Sequence, residues 1–252
     1  MTIKEILQKV ESQIKTKEER EYFLIHEARY DYILKQIEKV TKHQNKKETK
    51  LRVLDVGCFP YHLGLALEMM NFEVWGISST HEPIKSPKIK VCNIETDRFP
   101  FKDNFFDLVV CTEVLEHLPQ SPARALSEMR RVLMPQGILL LTTPNIARSI
   151  NRGKLLLGKS VTYPLHQLLE NDGEGSNIYH RHNREYTLKE LTTILNHTHY
   201  SVDTATTFVS YTPNRRRIIP DPLWLKAGKT ANFILMMMIA GLRDTLFVVA
   251  RK

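Results

Sequence analysis

Cysteine is scarce in this chain of 252 residues, which holds only Cys58, Cys92 and Cys111. Their spacing fits no metal-ligand pattern, and each sits in or beside an apolar stretch that reads as strand or strand end. An odd number of such cysteines points to a reducing, cytoplasmic compartment rather than a disulfide framework. A long apolar run is missing too. The longest, Phe233–Leu242, is about half the ~20 residues a membrane span needs, and Arg243 and Asp244 follow it at once. The opening residues MTIKEILQKVESQ are charged and amphipathic and lack the apolar core of a secretion signal. No internal repeat or low-complexity tract is present.

What is there suits an α/β domain with decorations, or a domain plus a small subdomain, since 42% of the residues are hydrophobic. The net charge of +8 is compatible with nucleic acid, an anionic membrane surface, an acidic substrate or simply solvated lysines. It does not choose among them. The aromatic–basic interleaving typical of RNA binding is lacking, so charge alone says little for nucleic acid.

Residues 3–40 keep helical spacing, through Ile3, Ile6, Leu7, Val10 and Ile14 and then Tyr30, Ile33, Leu34, Ile37 and Val40. The basic stretch 42–50, KHQNKKETK, reads as an exposed connection. Residues 1–50 are therefore expected to be N-terminal helices and a basic linker, and 51–252 the main domain. Strands are predicted over 51–56, 72–77, 89–92, 105–111 and 138–143. A helix is predicted to start near Pro60, another at Ser121-Pro122 with Pro135-Gln136-Gly137 closing it, and a third at the capping box Thr187–Glu190. Residues 201–209 and 244–250 read as a late antiparallel pair at one sheet edge, with insertions at about 147–186 and 211–241. Strands alternating with helices predict an α/β fold, a doubly wound, mostly parallel sheet covered on both faces. Ligands in such sheets bind at the carboxyl ends of the strands, which directs attention to 55–59, 78–82, 93–95, 112–117 and 143–145.

Three segments in that order, VLDVGC (53–58), FPFKDNFFDLVVCTEVLEHL (99–118) and RRVLMPQGILLLTTPN (130–145), resemble class I S-adenosylmethionine-dependent methyltransferases. The likeness covers roughly 51–145 and is strongest to the branch acting on small molecules, lipids and glycans. It implies a Rossmann-like seven-stranded sheet with one antiparallel edge strand, and S-adenosylmethionine as methyl donor. YHRHNREYTLKEL (179–191) resembles a segment that follows this core in glycan and envelope methyltransferases. Carried over by motif, Asp55, Gly57, Cys58 and Phe59 would hold the amino-acid end of the donor, with Ser78 or Glu82 on the ribose. Asn93, Ile94 and Glu95 would face the adenine, and Thr112, Glu113 and His117 the methyl-transfer cleft. The sequence departs from the family where glycines are usual, at Phe59 and Tyr61, and where an acid is usual, at Ser78.

The catalytic candidates are His117, His180 and His182, because histidine titrates near neutrality. The cluster Tyr179–Tyr186 reads either as a binder of an anionic or sugar-phosphate group through Arg181 or Arg184, or as a basic surface loop. No metal site is expected there, since no cysteine or further ligand lies nearby in sequence. Residues 233–239 read as core or interface, or as an apolar patch that, with Arg215–Arg217, gives 215–242 a peripheral membrane contact. The resemblance implies transfer to oxygen on a small, lipid-linked or sugar-linked acceptor. Two other readings stay open: a non-catalytic binding or scaffold protein that keeps the fold, and an RNA methyltransferase.

Overall fold

The computed structural model describes residues 1–42, 49–79, 88–162, 181–211 and 223–252, with the side chains of 223–226 left aside. The N-terminal segment forms α1 (Ile3–Gln13) and α2 (Lys17–Thr41). The helical pattern that predicts one element is thus broken at residues 14–16. Ile14 is extended, and Thr16 accepts a hydrogen bond from the Glu19 backbone N–H to start α2. The signal for the break, Thr16 followed three residues on by Glu19, is a capping pattern. A true capping box opens α1, with Thr2 and Glu5 exchanging bonds.

Then follow β1 (Arg52–Val56), α3 (His62–Met69), β2 (Glu73–Ser78), β3 (Ile89–Val91), β4 (Phe106–Thr112), α4 (Ala123–Val132) and β5 (Leu133–Pro144). The chain finishes with α5 (Ser149–Leu156), α6 (Leu188–His197), β6 (Ser201–Phe208), α7 (Leu223–Met238) and β7 (Thr245–Arg251). The capping box Thr187–Glu190 opens α6 as expected, with both reciprocal bonds made. Pro122 itself caps α4, one residue later than the Ser121 cap predicted. Pro135-Gln136-Gly137 does not close that helix. It forms a bulge inside β5, where Gln136 has a φ of +64° and the register against β4 shifts.

The seven strands lie in the order β3-β2-β1-β4-β5-β7-β6. The first five are parallel. β7 runs against both β5 and β6, so the late pair is antiparallel and the reversed strand sits one in from the edge. Alternate strand residues face opposite layers. Val53, Val74, Leu108, Val110, Ile138 and Leu140 pack under α1, α2 and α3. Leu54, Val56, Val109, Cys111, Leu139 and Leu141 pack under α4 and α6. The N-terminal helices therefore share the cover of one sheet face with α3.

That layer is joined by aromatic packing. Phe23 of α2 is fully buried, stacks on Tyr30 at 5.6 Å and meets the edge of His62 of α3 at 5.3 Å. His62 in turn reaches Glu19 at 3.0 Å. Truncating the ring leaves a cavity that the helices close only in part. Phe23→Ala is expected to cost about 3–5 kcal/mol in urea unfolding, and a loss under about 1 kcal/mol would show that α2 is not docked on the sheet.

Candidate functional site

Strand order reverses between β1 and β4, and this is where a crevice opens at the carboxyl ends of a doubly wound sheet. The cleft is small, with a cavity volume of about 60 Å³. Its floor is Asp55, Gly57 and Cys58 after β1 and Thr112 and Glu113 at the end of β4. Its far wall is helix α2, through Tyr22, Arg29 and Tyr30.

Each floor residue is placed by backbone geometry. Gly57 has a φ of +79° and its N–H donates to Ile77 O at 2.9 Å. A Cβ there would lie 2.4 Å from Val114 Cγ2. Only glycine meets both conditions without strain. Glu113 takes a φ of +56°, a left-handed conformation that is costly for a residue with a side chain. The turn it makes aims its carboxylate at Arg29, 3.1 Å away, with Thr142 Oγ1 donating to it at 2.8 Å. Arg29 is buried, and its Nε has no hydrogen-bond partner among the described residues. The residue lines the cleft.

Burial pushes the Asp55 carboxyl up to about 7 from an ordinary 3.8. Between those values the folded chain keeps a proton that the unfolded chain has lost. Stability from this group is therefore lost as pH rises through that window.

Beyond the cleft the chain turns through Leu115–His117. Glu116 is wholly buried, and Thr143 Oγ1 donates to its Oε2 at 2.8 Å. Burial, and then the charge of Glu113, holds its carboxyl well above the usual range. The loop 181–186 is laced onto this turn. Asn183 N donates to Glu116 O at 2.7 Å, Asn183 Nδ2 to His117 O at 2.8 Å, and His117 Nδ1 bonds Arg181 O at 3.1 Å. The His117 and His182 rings stand perpendicular, 5.0 Å apart. Arg148 of α5 grips Glu185, which holds His182 Nδ1 at 3.0 Å. Arg184 is committed elsewhere, to Glu190 at 3.0 Å.

Sequence reasoning placed Asp55, Gly57, Cys58, Phe59, Thr112 and Glu113 in one site, and all six line the cleft. His117 and His182 come together just beyond it. Ser78, Asn93, Ile94 and Glu95 do not line it. Ser78 is buried at the end of β2 and its carbonyl accepts from Cys92 N. Asn93 Oδ1 accepts from the Glu95 backbone at 3.0 Å in a local turn, Ile94 packs on the core, and Glu95 Oε1 accepts from Gln120 N at 2.9 Å. Glu82 and His180 lie outside the described residues, as do Arg215–Arg217.

A sequence profile described as a methyltransferase domain matches residues 24–205. The chain belongs to this family, whose structural relatives are S-adenosylmethionine-dependent class I methyltransferases. One such enzyme structure, from Thermotoga maritima, superposes with a TM-score of 0.56 over 98% of this chain and 99% of that one, at 14% identity. Another, from Methanosarcina mazei, gives 0.54 over 83% and 96%, at 19% identity. These share the fold. Among curated sequences, a ubiquinone biosynthesis O-methyltransferase of Rickettsia akari is 29% identical over 136 residues, which is 50% of this chain and 53% of that one. An uncharacterised protein of Methanocaldococcus jannaschii is 37% identical over 106 residues, 41% and 44% of the two chains. The chain thus spans about half the length of the curated relatives it matches.

The family's donor fits what the cleft offers. Arg29 supplies a cation to the lining, and the bare Gly57 backbone permits close approach. The Phe59 side chain, half exposed beside Pro60, forms the rim where the family usually has glycine. Tyr22, Arg29 and Tyr30 of the wall escaped sequence reasoning. Their only sequence mark is a cation and two rings on one helix, with nothing to say which strand end they meet.

Two measurements check this geometry. Gly57→Ala is expected to lower stability by about 1–3 kcal/mol, and adding Val114→Ala to recover part of it, because the clash goes and the positive φ stays. No loss in Gly57→Ala would mean the turn is built differently. The melting temperature of the wild type is also expected to fall more steeply than that of Asp55→Asn as pH rises from about 4 to about 7. Parallel curves would place the Asp55 carboxyl in water.

Proposed function

We propose that this chain methylates a hydroxyl oxygen, using S-adenosylmethionine, on a lipid-linked acceptor in preference to a free small molecule or a sugar-linked one. The carrying observation is the pair of imidazoles, His117 and His182, beside the cleft floor formed by Thr112 and Glu113. When bound, the donor supplies a methyl group activated on a sulfonium. Arg29 and the Gly57 turn hold its amino-acid end, and α2 shields the cleft from water. His117 Nδ1 bonds Arg181 O, and this imidazole is placed to take the hydroxyl proton. The acceptor oxygen then forms its bond to the methyl carbon while the carbon–sulfur bond breaks, and alignment supplies most of the acceleration.

The preference for a lipid-linked acceptor rests on the surface next to the histidines. Ser149 at the start of α5 bonds Asn232 of α7, and the two helices leave Leu155, Leu156, Ile234, Met237 and Met238 exposed. Exposed apolar side chains of this kind suit an apolar tail. No helix among the described residues is long and apolar enough to cross a membrane. The O-methyltransferase relatives named for ubiquinone biosynthesis support oxygen as the methyl acceptor.

Calorimetric titration with S-adenosylmethionine and S-adenosylhomocysteine tests the first half. Binding of both is expected, and Arg29→Ala is expected to weaken it about tenfold to a hundredfold, the worth of a charge-assisted hydrogen bond. No heat at millimolar ligand would remove the enzyme reading. Turnover on prenylated phenols, soluble phenols and glycans tests the second half. Donor binding with transfer to none of them would favour a binding protein that keeps the fold.

A further inference from the structure

Three side chains just outside the donor cleft converge in a way their positions in sequence do not suggest. Glu116, His117 and His182 each bring one ligand atom to within 4.8 Å of the others. His117 Nε2 lies 3.9 Å from Glu116 Oε1. Ligands of a small divalent ion stand about 3.3 Å apart at bond lengths of about 2.0–2.2 Å, so closure requires only a side-chain adjustment.

The second observation is independent of the clustering. Glu116 is 0% exposed, and its Oε1 has no hydrogen-bond partner among the described residues. A buried polar oxygen without a partner is expensive, and a cation is one remedy. The other ligand atoms are already aimed. Thr143 holds Glu116 Oε2, Arg181 O holds His117 Nδ1, and Glu185 holds His182 Nδ1 with Arg148 behind it. His117 thus turns Nε2 toward Glu116, and both imidazoles have the outer support that metal-bound histidines have. The neighbouring acid, Glu113, is drawn away by Arg29. The partial exposure of His117 and His182 leaves one side open to a further ligand.

We propose that Glu116, His117 and His182 bind a divalent transition-metal ion, and that the acceptor's hydroxyl completes its coordination. Two nitrogens and one oxygen suit zinc or its neighbours rather than magnesium, which takes oxygen ligands. This deepens the O-methylation reading and rests on it for the acceptor. With the ion in place the imidazoles are ligands. The hydroxyl gives its proton to solvent water, its oxygen forms the bond to the methyl carbon, and the departing sulfur keeps the electron pair of the broken bond.

The test uses the whole chain, stripped with a chelator and titrated with zinc chloride by calorimetry, with cobalt(II) absorption as a second readout. One equivalent is expected to bind. Glu116→Gln, His117→Ala and His182→Ala are expected to abolish binding while circular dichroism stays native. Glu185→Gln is expected to weaken it about tenfold to a hundredfold. His197→Ala, exposed on α6, is expected to bind as the wild type does. A wild type that takes up no zinc, or ligand variants that bind like the wild type, would overturn the site. Donor binding is measured separately. S-Adenosylmethionine bound without zinc removes the metal and leaves the methyl transfer, and zinc bound without the donor does the reverse.

Discussion

The ion pair between Arg29 and Glu113 joins two parts of the chain that are far apart in sequence, and the cleft exists only where they meet. Glu113 is the first residue after β4 and stands in a left-handed conformation that nothing local favours. Arg29 sits mid-helix in α2, with both partners largely buried. A buried pair of this sort adds little net stability, because desolvation offsets the attraction. What it fixes is position. It sets the height of α2 over the strand ends, turns Tyr22 and Tyr30 toward the floor, and keeps Glu113 away from Glu116.

That arrangement explains why the cleft differs in character along its length. At the β1 end the contacts are made by backbone, through Gly57, and by a carboxyl kept partly protonated by burial. At the β4 end charges are matched across the gap by α2. Past the 115–117 turn the surroundings become polar and open, with two partly exposed imidazoles and a loop fastened by hydrogen bonds and ion pairs to Arg148, Asn151 and the turn. The two ends thus share one wall, β4, and differ in polarity.

Much of the sheet could be read from the chain, because strands buried on both faces are continuous apolar runs and helix caps carry polar signatures. LRVLDV and FFDLVVC each became a strand close to the limits expected, while ILLLTT forms the second half of a strand that begins at Leu133. The bulge at Gln136 was not readable, since Pro-Gln-Gly is as good a helix stop as it is a strand irregularity. At the site, residues next to a strand end come together in the cleft, for chain connectivity puts them there. Asn93 bonds within its own turn and Glu95 reaches Gln120, and neither lines it. Arg29 and the meeting of His117 with His182 depend on packing between distant segments. No spacing rule records that.

The position of β7 has a consequence for the order in which this sheet is completed. β6 touches the sheet only through β7, which is inserted between it and β5. When β6 emerges it therefore has no strand to pair with, and β5 stands as a bare edge. The pairing partner for both arrives later in the chain. Until it does, the run ILLLTT of β5 is an apolar strand with unpaired backbone groups, open to pairing with another molecule. Synthesis of the final strand closes two edges at once, so loss of a few residues there would expose far more than it removes.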